Sequence, residues 1–189
     1  DSSDVVVRFR YQDSTTVLSG FTIQNGAGNS GGGMNLYEAT PTFTNLIIKD
    51  NYGGTSGGGI YMLNSYPILN SVIIRDNIAG LSGGSGNGGG ISMTGSSLDY
   101  SLKLTNVTIA NNLGTFGGGM YIRGNSKAFF SNVTISENKS YIHDYEEFPG
   151  DGITLRDGAQ AIFVNSILWN NSPQEIVFLP WGSGGCEVS

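Results

Sequence analysis

Basic residues are scarce: nine Lys and Arg stand against fifteen Asp and Glu, a net charge of −6 and a pI near 4.5. A nucleic-acid partner needs a basic stripe that releases counterions from phosphates, and no such stripe is visible, so no nucleic acid is expected. A long polyanionic glycan is disfavoured on the same ground, unless the few cations gather on one face. Cysteine occurs once, at Cys186, so no internal disulfide can form and the redox compartment is not readable. Only five prolines accompany thirty glycines, and no three-residue period runs through them, which excludes a collagen-like helix. No apolar run approaches membrane-spanning length, and no signal peptide opens the chain, so Asp1 is expected to begin a mature or trimmed segment. Charged residues make up 13%, about half the ordinary share. That composition suits an extracellular β protein with a polar but largely uncharged surface.

What is abundant is periodic. Gly31-Gly32-Gly33-Met34 recurs as Gly57-Gly58-Gly59-Ile60, Gly88-Gly89-Gly90-Ile91 and Gly117-Gly118-Gly119-Met120, with a worn copy at Gly150-Asp151-Gly152-Ile153. The starts lie 26, 31, 29 and 33 residues apart, so one unit repeats with insertions of varying size. After each triplet, apolar residues alternate at spacing two: Met34 and Leu36, Ile60 and Met62, Ile91 and Met93, Met120 and Ile122, Ile153 and Leu155. That is a strand with one buried face. A second strand ends in Phe43, Leu69, Leu104, Phe130 and Phe163. A third follows directly, as in Leu46-Ile47-Ile48 or Val133-Thr134-Ile135, and closes at a polar pair such as Asp50-Asn51 or Glu137-Asn138.

Three short strands in a unit of about 26 residues predict an all-β fold, a right-handed single-stranded parallel β-helix of about six coils. At the ordinary interstrand spacing the rod core is roughly 30 Å long. Residues 1–189 form one solenoid domain, expected to be an excerpt of a longer one with flanking coils. Like stacks on like. The Phe43 column fills the interior, and Asn51, Asn77, Asn112, Asn138 and Asn171 form a structural ladder at a bend, each amide bonding backbone and its neighbour. The glycine triplets serve bends that need positive φ or close backbone approach.

Candidate sites lie where the repeat breaks or faces outward. Residues 81–87 and 95–103 are insertions, the latter carrying the bump Leu98-Asp99-Tyr100. The largest break, 139–150, holds the only histidine, His143. With Asp144, Glu146, Glu147 and Asp151 it could form a calcium site or contribute an acid/base pair, or the stretch could be no more than a solvated acidic loop. No other cofactor is implied, and one histidine without a nucleophile elbow gives little support for covalent catalysis. The column Asn25, Asp50, Asp76, Asn111, Glu137, Asn170 could share cations along the rod, or be neutralised by Lys49 and Arg75. The outward face of the strand after the triplet carries Tyr37, Tyr61, Tyr121, Arg123 and Arg156, the candidate glycan-binding residues. Tyr rings stack on sugars and Arg forks to uronate carboxylates, although ordinary packing explains the tyrosines too.

The stretch Val17-Leu18-Ser19-Gly20-Phe21-Thr22-Ile23-Gln24-Asn25-Gly26, the Gly-Gly-Gly-Ile-Tyr and Gly-Gly-Gly-Met-Tyr copies, and Ser166-Ile167-Leu168-Trp169-Asn170-Asn171-Ser172-Pro173-Gln174-Glu175-Ile176 resemble secreted bacterial right-handed parallel β-helix proteins of the pectate-lyase-like superfamily. A weaker likeness reaches chlamydial polymorphic outer-membrane adhesins, whose repeats carry Gly-Gly-Ala and Phe-x-x-Asn where this chain has Gly-Gly-Gly and Phe-x-Asn. The resemblance implies a secreted or cell-surface bacterial protein that contacts an extracellular glycan or a surface protein. Most such relatives have no demonstrated activity, whereas the lyases and polygalacturonases cluster Asp with a basic residue. No such cluster falls on matching positions here, so no catalytic residue is carried over. The resulting expectation is a non-catalytic adhesin, spacer or glycan-contacting module, with a polysaccharide lyase or glycoside hydrolase as the alternative.

Overall fold

The computed structural model describes residues 4–80, 86–141, 152–179 and 186–188. Its strands assemble into three parallel sheets that the chain visits in turn. The first holds Val7–Arg10, Met34–Tyr37, Ile60–Leu63, Ile91–Ser96, Met120–Asn125, Ile153–Arg156 and Ile176–Leu179, in that order. Every neighbour pairs in parallel, so this is a β-helix with six turns between the first and last of these strands. Met34, Ile60, Ile91, Met120 and Ile153 stand in one file and are fully buried. Among the described residues no helix is long and apolar enough to cross a membrane.

The other two strands read from the sequence belong to one sheet. In two coils they are continuous, at Thr42–Lys49 and Ile68–Arg75; in later coils a corner residue splits them, as at Leu102–Thr105 and Thr108–Ala110. Phe43, Leu69, Leu104, Phe130 and Phe163 are in register inside this bent sheet, and the last two rings stack at 4.4 Å. The coil is completed by a short sheet that the sequence pattern does not reveal: Ala27–Ser30, Tyr52–Ser56, Ile78–Ala79, Leu113–Gly114 and Lys139–Ser140. Its inward positions include Gly28, Gly53, Ala79 and Gly114, too small to leave an apolar alternation.

Each coil turns through residues in the left-handed region. The polar column Asn25, Asp50, Asp76, Asn111, Glu137 and Asn170 has φ between 52° and 59° throughout. Asn and Asp recur there because a short polar side chain tolerates this backbone. Lys49 still pairs with Asp50 at 2.9 Å, and Arg75 with Asp76. The corner inside the bent sheet repeats the device with Gly20, Asn45, Ser71, Asn106, Asn132 and Asn165. Ser71 and Glu137 are the ill-suited members, and both side chains are exposed. Ser71→Asn and Glu137→Asn should each raise stability by about 0.5–1 kcal/mol, read as a higher urea midpoint at unchanged slope.

The asparagine column is a continuous hydrogen-bonded chain. Nδ2 of Asn51 donates to Asn77 Oδ1 at 2.9 Å, and the contact repeats from Asn77 to Asn112, Asn112 to Asn138 and Asn138 to Asn171 at 2.8–3.0 Å. Each Nδ2 also donates to an isoleucine carbonyl of the previous coil, such as Ile48 or Ile74. Each Oδ1 accepts the backbone N–H one coil back, starting with Gly26 N–H on Asn51. Asn171 ends the series by donating to the Glu175 carboxylate.

The triplets answer to this chain. Their first glycine has φ between +62° and +77°. The second lies against backbone carbonyls of the short sheet and the adjoining coil. The third lies over the asparagine: a Cβ on Gly59 would sit 3.1 Å from Asn77 Nδ2, and one on Gly90 3.1 Å from Asn112 Nδ2. Three glycines in a row thus meet three separate steric demands.

Candidate functional site

The outward side chains of the first sheet form two columns. One runs Arg8, Asn35, Tyr61, Ser92, Tyr121, Thr154; the other runs Arg10, Tyr37, Leu63, Thr94, Arg123, Arg156. The five residues expected to contact glycan therefore share one face but not one cluster. Tyr61 and Tyr121 stand in the first column, and Tyr37, Arg123 and Arg156 in the second. Three interstrand steps, roughly 14 Å, separate Tyr37 from Arg123. Only Tyr121, Arg123 and Arg156 are close neighbours.

Tyr121 corrects the sequence expectation. It points outward but is only 2% exposed, and its ring lies 6.5 Å from that of Phe116. Burial pushes its phenol pKa up, while Arg156 and Arg123 pull it back. So little exposed surface leaves no platform for a sugar ring at Tyr121. Its neighbours Ser92 and Thr154 are buried as well. Tyr61 and Tyr37 remain half-buried, and Tyr37 meets the edge of Tyr11 at 5.5 Å. Burial raises the Tyr61 pKa; for Tyr37 the cause is a hydrogen bond to Glu38 and that residue's charge.

Strand pairing sets Arg123 directly beside Arg156. Asp157 follows in left-handed conformation (φ 57°), which turns its carboxylate back over the sheet. Its Oδ2 takes Arg123 Nε at 2.7 Å and Arg156 Nε at 3.5 Å, and the hydrogen bond raises the Arg123 pKa. Asp157 Oδ1 is buried without a hydrogen-bond partner. Two cations around one anion leave a local excess of one positive charge.

The far end of the face was not foreseen. Val7–Arg10 pairs with Met34–Tyr37 and points Arg8 and Arg10 outward. Both are exposed; Arg8 pairs with Asp4, and Arg10 joins Arg8, Val5, Asn29, Ser30 and Asn35 around a recess of about 250 Å³. Asn35 is fixed there by donating to Ser30 O at 2.8 Å. The signal was present: Val7-Arg8-Phe9-Arg10 alternates like the later strands, one repeat length before Met34, but no triplet announces it. Four of the chain's five arginines thus lie on this sheet, whose strands contain no Asp or Glu. Four of the nine cationic residues of an acidic protein share one face, and the Arg10 and Arg123 rows stand four interstrand steps apart, roughly 19 Å.

His143, Asp144, Glu146, Glu147 and Asp151, the candidate calcium loop, lie outside the described residues. Among the described residues no three His, Cys, Asp or Glu side chains come close enough to hold a metal ion. A family model described as a right handed beta helix region matches residues 82–179, just over half of the chain. Searches of the curated proteins and of the solved structures found no match.

Proposed function

The chain belongs to the right-handed β-helix family, and from that premise we propose that it is a non-catalytic, extracellular rod that holds an acidic glycan along the outward face of its first sheet. The supporting observation is that four arginines lie on a sheet whose strands carry no Asp or Glu, in a chain of net charge −6, with Asp4 and Asp157 at the strand ends pairing with three of them. Guanidinium groups fork to carboxylates in two parallel hydrogen bonds, so a uronate chain is the ligand class this face suits. Arg8 and Arg10 engage one end of such a chain and Arg123 and Arg156 the other, with Tyr37 and Tyr61 between them. Among the described residues the carboxylate at the second pair is Asp157, and it is already engaged by both guanidiniums rather than free to reach a bound sugar. That arrangement favours holding over cleaving.

The test is titration of an oligogalacturonate into the full chain, followed calorimetrically at several salt concentrations. Binding should weaken as salt rises, because exposed charges are screened beyond about 10 Å at 0.1 M. Double substitution Arg10→Ala with Arg123→Ala should cost about tenfold or more in Kd, since hydrogen bonds to charged groups are each worth about 1.5–3 kcal/mol. New reducing ends or unsaturated uronate products during the titration would instead make the protein an enzyme.

A further inference from the structure

The insertion at 95–103 builds a second, chemically different site on another edge of the rod. Tyr66 leads into the bent sheet, its hydroxyl donating to Ser97 O at 3.4 Å. Gly95 makes room for that hydroxyl: a Cβ there would lie 2.7 Å from it. The bump beyond is tied by Ser97 Oγ, which donates to Asp99 Oδ2 and accepts the Asp99 N–H, both at 3.1 Å. Ser96 Oγ reaches Asn64 Oδ1 on the previous coil at 3.2 Å. Held in this way, Tyr100 is 61% exposed, its ring 5.5 Å from that of Tyr66 and tilted by 32°. The two rings open onto a groove of about 310 Å³ bounded by Asp99, Lys103, Ser14 and Ile68. That volume is at the lower end for small-ligand sites.

The chemistry of the wall selects the ligand. Exposed aromatic faces bind apolar C–H surfaces or cations. Lys103 on the rim opposes a cation, and Asp99 opposes an anion. A ligand with an apolar ring face and neutral hydroxyls satisfies every wall: the ring stacks on Tyr100, while Asp99 accepts and the serine hydroxyls donate or accept. We propose that the Tyr66–Tyr100 groove is a binding site for a neutral pyranose unit, separate from the arginine face.

Maltotriose, cellotriose and mannotriose, titrated singly into the isotopically labelled full chain, should include at least one that shifts the amide signals of Tyr66, Asp99, Tyr100 and Lys103 saturably. Tyr100→Ala should weaken that binding about tenfold, and Asp99→Ala should do so by a smaller factor. Both side chains are exposed, so the circular dichroism spectrum and melting temperature should stay those of the parent. Oligogalacturonate should not compete, and the Arg10→Ala with Arg123→Ala variant should bind the neutral sugar as the parent does. That separation distinguishes failure here from failure of the acidic-glycan reading. The proposal is overturned if no trisaccharide perturbs these residues, if binding survives both substitutions, or if choline or inorganic phosphate fills the groove instead.

Discussion

Asn112→Ala is expected to lower stability by about 3–5 kcal/mol, a loss seldom reached by one polar-to-alanine change. Asn112 is 1% exposed and engages both neighbouring coils. Its Oδ1 accepts the Asn77 backbone N–H and the Asn77 Nδ2, each at 3.0 Å. Its Nδ2 donates to Ile74 O and to Asn138 Oδ1, at 3.1 and 3.0 Å. Truncation leaves the buried Asn77 N–H without its acceptor and Ile74 O without its side-chain donor. The two orphaned groups cost about 1–3 kcal/mol apiece. The exposed neighbour Asn111→Ala loses only its left-handed preference, about 1 kcal/mol. Denaturant unfolding separates the two. Hydrogen exchange gives a sharper reading: the Asn77 amide should lose protection, while the Asn112 amide, still bonded to Asn138 Oδ1, should keep much more of its own. Equal loss at both amides would mean that the coil had opened as a whole, and the ladder would not be the local cause.

Gly58→Ala should be at least as damaging, costing about 3 kcal/mol or more and sharply lowering the soluble yield. A Cβ at this position would come 2.5 Å from Ile78 O and closer still to Gly89 O. Both obstacles are backbone atoms held in parallel ladders, so neither can swing aside. Gly54→Ala is the control, because its Cβ meets Asn29 Oδ1 at 2.9 Å, the end of a side chain that can turn away. Similar melting temperatures for the two variants would contradict the steric account of the triplet.

How much of this was readable beforehand follows from what repeats. Met34, Ile60, Ile91 and Met120 announce a buried file because each occupies the same offset from its triplet, and the structure stacks them so. The Phe43 column was equally legible. The short sheet was not: its inward residues Gly28, Gly53 and Gly114 have no side chain with which to mark a period. Left-handed backbone left a compositional trace, Asn and Asp in fixed columns, but the trace also fits cation binding, and only φ separates the two. The arginine face was half visible. Arg123 and Arg156 follow triplets, whereas Arg8 and Arg10 precede the first one and join them only through register. Tyr121 misled because alternation tells which way a side chain points and says nothing about what covers it.

The asparagine column has one more consequence, and it is electrical. Besides its bond to an isoleucine carbonyl of the previous coil, each amide from Asn51 to Asn138 donates to the next asparagine toward the C-terminus, so the amide-to-amide bonds run head to tail. Five aligned amides add up much as peptide units do along an α-helix, placing partial positive charge where the final Nδ2 emerges. Glu175 stands at that terminus with its carboxylate on Asn171. The rod therefore carries an internal polarity along its axis, with a counter-charge supplied by its own chain at the positive pole.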